Sequence, residues 1–137
     1  MMIVAVIMGV LAALAIPNYS RVRERAQIAR AIGDIKALSQ DLSDYQMERG
    51  TFPASLADIG RDGLLDPWGN PYQYVRVSGS NRGALRKDRF LVPINSDFDL
   101  YSMGPDGKTV AALTAKAARD DIIRANDGGY VGVAEGY

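Results

Sequence analysis

The first sixteen residues, MMIVAVIMGVLAALAI, contain no charged or hydrogen-bonding side chain. A helix that is apolar all round must be wrapped by lipid, by a large protein or by other apolar helices. A membrane span takes about 20 apolar residues to cross roughly 30 Å of hydrocarbon, which leaves Met1–Ile16 about one turn short. A secretory signal peptide accounts for it poorly, because no basic stretch precedes the run and no convincing cleavage site follows Ile16. A buried helix of a soluble domain accounts for it no better, because a chain of 137 residues has little protein with which to surround such a rod. The reading that remains is a span whose first few residues precede this sequence. Gly9, Ala12, Ala13 and Ala15 are small and let apolar helices approach closely, so helix partners are expected as well as lipid.

Beyond Pro17, Asn18 and Tyr19 the pattern changes. From Ser20 to Arg49, Val22, Ala26, Ala29, Ile32, Ile35, Leu38, Leu42 and Tyr45 recur at steps of three and four, the stripe of an amphipathic helix. Gly50 supplies the stop and Pro53 prevents resumption. Such a helix is about 45 Å long, more than a small domain can cover. Its lower part is expected to carry a core face and its upper part to stay bare for other subunits. Arg21, Arg23 and Arg25 fit lipid headgroups, inter-subunit ion pairs or a solvated face equally well. By itself, positive charge beside a span points to the cytoplasmic side.

The remainder reads as a small head. Thr51–Gly60 is a loop with a short helix anchored by Leu56 and Ile59, and LDPWGNPY (65–72) is a rigid turn whose Trp68 caps the core. Strands are expected at Tyr72–Val77, Phe90–Ile94 and Asp99–Met103, with a turn-rich loop at Ser78–Gly83 and exposed charge at Leu85–Arg89. The expected fold class is α+β, a long N-terminal helix packed on a small antiparallel β-sheet. Residues 1–49 form the helix, with 1–17 the anchor and 18–49 amphipathic. Residues 50–137 form the head, ending in a C-terminal loop and tail.

Lys plus Arg and Asp plus Glu both number 16, so no electrostatic case for nucleic acid arises. Histidine and cysteine are absent, which removes the commonest general base and leaves no partner for a nucleophilic serine. No catalytic constellation is present, and an enzyme is not expected.

The run MMIVAVIMGVLAALAIPNY resembles the N-terminal helix of type IV pilins and type II secretion pseudopilins, with Gly9, the alanines, Pro17 and Tyr19 at matching places. In that family a peptidase removes a short basic leader, the mature chain begins with a methylated Phe, and a Glu follows that neutralises the N-terminal amine of a neighbouring subunit. The match sets Met1 just after that Glu, so leader, Phe and Glu fall before this sequence. The DPWGNPY turn together with Ser102-Met103-Gly104-Pro105-Asp106-Gly107 is similar to the major pseudopilins of type II secretion. Thr109–Arg119 and Ile122–Tyr137 are longer than that pattern. The resemblance implies a pilin-like fold and a structural subunit that polymerises into a helical pseudopilus, with Gly9, Ala13 and Pro17 in the filament core. A surface pilus for motility, adhesion or DNA uptake is the alternative, and a monomeric membrane-anchored binding domain a further one. The implied partners are other copies of the chain, an inner-membrane assembly platform and minor pilins or pseudopilins. The head is expected in the periplasm, with the anchor in the bacterial inner membrane before assembly and in a pseudopilus or pilus afterwards.

The resemblance also implies calcium in the C-terminal loop, at Asp106, Asp120, Asp121 and the backbone carbonyl of Met103. Asp97, Asp99 and Asp127 are looser candidates. On spacing alone, Asp106 as a turn residue and Asp120–Asp121 as helix caps explain the same residues, and the EF-hand spacing is absent.

Overall fold

The computed structural model describes residues 2–80 and 82–137; Met1, at the start of the apolar run, and Asn81, in the expected Ser78–Gly83 loop, lie outside the described residues. One helix, α1 (Met2–Arg49), carries the whole N-terminal third without interruption. Its 48 residues make a rod about 72 Å long at 1.5 Å per residue. Pro17 lies inside it, where a proline removes one backbone hydrogen bond. The helix ends where Gly50, at φ +76°, donates its N–H to the Gln46 carbonyl, 2.8 Å away. A left-handed residue at this place is accessible to glycine without a Cβ penalty.

The head is a four-stranded antiparallel meander of β1 (Gln73–Arg76), β2 (Phe98–Ser102), β3 (Ile122–Ala125) and β4 (Tyr130–Val133), in the order β1-β2-β3-β4. Gln73 pairs with Tyr101, Tyr101 with Ile123, and Ile123 with Gly132. Ala31, Ile35, Leu38 and Leu42 are the buried residues of α1. They pack with Leu56, Tyr72, Phe98, Leu100 and Ile122 into the larger core, against which Trp68 is partly buried as expected.

The sheet is covered on both faces. The side away from α1 holds a second core of Ile94, Tyr101, Leu113, Ile123, Ala125 and Ala134. That is why every residue of β2 and β3 is buried, and why β3, Ile122-Ile123-Arg124-Ala125, does not alternate between apolar and polar residues as a half-exposed strand does.

Three expectations are corrected. Ile122–Tyr137 is no tail: it contributes β3 and β4, half of the sheet. Phe90–Ile94 is no strand. Asp88 accepts from the backbone N–H of Phe90 and of Val92, which closes a turn with Leu91 at φ +60°. Leu85–Arg89 is not uniformly exposed, because Leu85 and Arg86 are each only 2% accessible. The isolated pairing of Lys87 with Pro93 and with Ala112 turns this segment into a lid on the second face.

Candidate functional site

Two features of the molecule lack partners of the right kind within the chain. The first is the upper part of α1. Residues 2–26 are all exposed, including Ile3, Val4, Val6, Ile7, Leu11, Leu14 and Ile16. A contiguous apolar surface of this size marks a membrane or protein contact. Gly9, Ala13 and Pro17 all lie on it, and a Cβ built on Gly9 meets nothing within 4 Å. By length and composition α1 is able to cross a membrane.

The second feature is the acidic loop at the top of the head. Its foundation is a junction between the two turns that stand out in the sequence. Asp66 accepts from the backbone N–H of Trp68 (3.0 Å) and Asn70 (2.9 Å), which shapes the DPWGN turn. Its other oxygen accepts from the Ser102 hydroxyl at 2.5 Å, and the Ser102 oxygen accepts from Gly104 N–H at 3.0 Å. The Asn70 amide donates to the Gly104 carbonyl at 3.4 Å. The DPWGN and GPDG turns are therefore one hydrogen-bonded unit at the end of β2. Gly104, at φ +65°, has no alternative, because a Cβ there would lie 2.4 Å from the Asp120 carbonyl oxygen.

This turn brings Asp106 and Asp120 together. The Asp106 N–H donates to the Asp120 carboxylate at 3.3 Å, and Asp106 accepts from Lys108 N–H at 2.9 Å. Burial, and then the Asp106 charge, push the Asp120 carboxyl upward. Oδ1 of Asp120 is buried with no hydrogen-bond partner. Beside the pair, a cleft of about 580 Å³ opens towards α1, lined by Glu24, Ile28, Pro105, Asp106, Lys116 and Asp120 among others.

Asp121 is held differently. It is fully buried, accepts from the Thr109 hydroxyl, and lies 3.7 Å from the Arg86 guanidinium. Burial pushes its carboxyl up to about 7, with Thr109 and Arg86 limiting the rise. Its Oδ1 is also buried without a hydrogen-bond partner. Among the described residues no three acidic side chains converge as a metal cluster. Asp106 and Asp120 meet, whereas Asp121 is engaged by the lid. Met103, whose carbonyl precedes Gly104, packs its side chain on the second core.

The looser candidates are occupied by protein donors. Asp97 takes two guanidinium bonds from Arg124, at 2.8 and 2.7 Å. Asp99 accepts from Arg86 N–H at 2.6 Å and from Asn95 at 2.9 Å. Asp127 accepts from the N–H and hydroxyl of Ser96, which holds its carboxyl below the usual range. A carboxylate satisfied in this way has few lone pairs left for a cation.

Arg86 is the residue that sequence reasoning missed. It stacks 3.6 Å from the centre of the Tyr101 ring and donates to the Val110 carbonyl. Its place in the charged string Arg86-Lys87-Asp88-Arg89 gives no sign of burial, since arginine is rarely buried unless paired. The partner, Asp121, is far along the chain.

No family model matches the chain. Curated relatives do. The chain is 33% identical over 128 residues to the type II secretion system core protein G of Pseudomonas aeruginosa, spanning 78% of this chain and 80% of that one. It is also 33% identical over 128 residues to the protein of that name from Escherichia coli K12, spanning 78% of each. The Vibrio cholerae counterpart is 28% identical over 129 residues, spanning 78% of this chain and 77% of its own.

Proposed function

Because the chain belongs to the type II secretion system core protein G family, the major pseudopilins, we propose that it is a structural subunit that polymerises into a helical pseudopilus. One observation carries the reading: a single unbroken helix is bare over residues 2–26, apolar from Met2 to Ile16, and packed on a folded head over Ala31–Leu42. Before assembly the bare part suits the inner membrane, with the head on the periplasmic side. After assembly the same surface suits a bundle of like helices, in which Gly9 and Ala13 permit close approach. The partners that follow are further copies of the chain and the other components of a secretion system. Electron microscopy of sheared material from cells producing the chain with its assembly components tests this. Thin filaments that label for the head are expected, and their absence under conditions where a known pseudopilin polymerises would overturn the reading.

We further propose calcium at the acidic loop. The residues fit: Asp106 and Asp120 face each other, the buried Asp120 Oδ1 has no donor, and the sharp turn at Gly104 and Gly107 offers backbone carbonyls, that of Met103 among them. A hard cation with several oxygen ligands suits such a set. Asp106 and Asp120 would hold the ion together with backbone carbonyls of the turn, and Asp121, engaged by Thr109 and Arg86, would support the loop from behind. Bound calcium supplies charge compensation and ties the 109–119 loop to the end of β2. Calorimetry of metal-stripped protein against calcium tests it, with binding lost in Asp106→Ala; no heat of binding in the parent protein would remove the ion.

A further inference from the structure

The charges on α1 are sorted by flank as well as by height. At about 100° per residue, Arg21 and Arg25 lie about 90° to one side of the buried stripe Ala31–Ile35–Leu38–Leu42. Asp44 and Glu48 lie about 130° to the other side. All four are exposed, and among the described residues none of them is in an ion pair. Of the other acids of the helix, Asp34 accepts from the Tyr72 hydroxyl at 2.7 Å and Asp41 from Arg61 at 2.9 Å, while Glu24 lines the cleft beside Asp106 and Asp120, on the side of the buried stripe and off both flanks. Asp44 accepts from the Gln40 amide at 2.8 Å but meets no cation among the described residues, and each of the two charge pairs has the same internal spacing of four residues, one helical turn. Arg21 to Asp44 and Arg25 to Glu48 are both steps of 23 positions, about 35 Å along the axis.

Resting on the filament reading above, we propose that a second copy of this chain docks on α1 flank to flank. Its Asp44 and Glu48 meet Arg21 and Arg25 with an axial stagger of about 35 Å. Three features select a second copy over a lipid surface. The complementary charges sit on the same helix with the same spacing. Helices anchored through one membrane are held parallel. The two flanks lie either side of the stripe that carries the head, so heads do not obstruct the contact. Because the basic and acidic flanks are different surfaces, the contact is heterologous and does not close on itself; each subunit offers one flank upward and one downward, and an open helical array results. The exposed pairs set register and exclude wrong staggers, with the apolar surface of α1 supplying most of the attraction.

The test uses the full chain with its assembly components. Arg21→Glu with Arg25→Glu, and separately Asp44→Lys with Glu48→Lys, are each expected to remove filaments from sheared material. Combining all four substitutions is expected to restore them. The chain has no cysteine, so Arg25→Cys with Glu48→Cys should give a ladder of disulfide-linked oligomers in oxidised filaments, and Arg25→Cys with Gln40→Cys should not. Filaments unaffected by either reversal, or intact filaments without the ladder, would overturn this register and leave the filament reading standing. Loss of membrane association in the basic reversal, unrepaired by the four-fold variant, would assign the arginines to lipid headgroups instead. Absence of filaments from the unsubstituted chain would overturn both readings.

Discussion

The two faces of the head sheet are built on different principles. The face towards α1 is chiefly apolar side chains in close contact: Leu38 and Leu42 from the helix, Phe98, Leu100 and Ile122 from the strands, with Phe52 edge-on to Phe98 at 5.0 Å, and with Arg124 lying over the Phe98 ring and paired to Asp97 at 2.7 Å. The opposite face mixes a smaller apolar cluster with buried Arg86, Asn95, Asp99 and Asp121. Apolar contact is non-directional and tolerates exchange among residues of similar volume. A buried polar group demands a partner at a fixed distance. The helix face therefore stabilises the head generally. The far face fixes one arrangement of the lid (85–94) and the 109–121 loop, which with the Asp66–Ser102 junction fixes the acidic site.

This contrast is sharpest in its response to substitution. Arg86→Leu leaves Asp121 buried without its cation and is expected to cost about 3–5 kcal/mol. Thermal melts of the full chain in detergent measure it. Adding Asp121→Leu should recover most of the loss, because an apolar pair carries no desolvation cost. If the double variant is no better than the single, the polar character of this face is incidental.

On the helix side, Leu38→Ala is expected to cost about 2–5 kcal/mol through lost burial and the cavity left behind. Nothing polar depends on Leu38, so calcium affinity should be unchanged while the melting temperature falls. A fall in affinity as large as that from Asp106→Ala would mean the two faces are not independent.

Calcium acts at the acidic loop. At a hundredfold excess over Kd, an ion bound only to the folded state adds about 2.7 kcal/mol. Metal-stripped protein should melt higher with calcium than with chelator, and Asp106→Ala should abolish the difference. Identical melting curves for the parent protein would return Asp106 and Asp120 to turn-making.

The pH response is smaller and has a definite sign. The Asp121 carboxyl is raised by burial to about 7 in the folded protein, above the ordinary carboxylate value of about 3.9. Between these values the folded state holds a proton that the unfolded state has released. Stability of the metal-stripped protein should therefore fall as pH rises from about 4 to about 7. Asp121→Asn should flatten that slope. A parent melting temperature that climbs over this interval would show that Arg86 dominates the ionisation of Asp121.

Least of all should Gly9→Leu affect the head. It lies outside both cores and meets nothing within 4 Å, so the melting temperature should not change. Filaments should nevertheless be lost, since the larger side chain overfills a close helix contact. Normal filaments from this variant would move the tight contact away from Gly9.

Local chemistry determined the rod, its stop and its two functional ends. Met1–Ile16 declares its own environment, the 3.6-residue period of Val22–Tyr45 declares a helix, and Gly50 with Pro53 ends it. The short helix at Leu56–Ile59 and the turns at DPWGN and GPDG were legible for the same reason, since each depends on residues within a few positions of one another. The stripe indicated which face would be buried; the structure set its extent, with Val22, Ala26 and Ala29 bare and Ala31–Leu42 covered. Where the reading failed, distance in sequence was the cause. Ile122–Tyr137 lacks alternation because β3 is buried on both faces, and only the lid's position makes it so. Phe90–Ile94 has the composition of a strand, but the Asp88 carboxylate captures its N–H groups into a turn. Arg86 and Asp121 are 35 positions apart, and no local pattern announces an ion pair whose members meet only when the lid and the last strands close on the sheet. Propensity and periodicity act over a few residues, whereas burial and charge pairing are properties of the assembled fold.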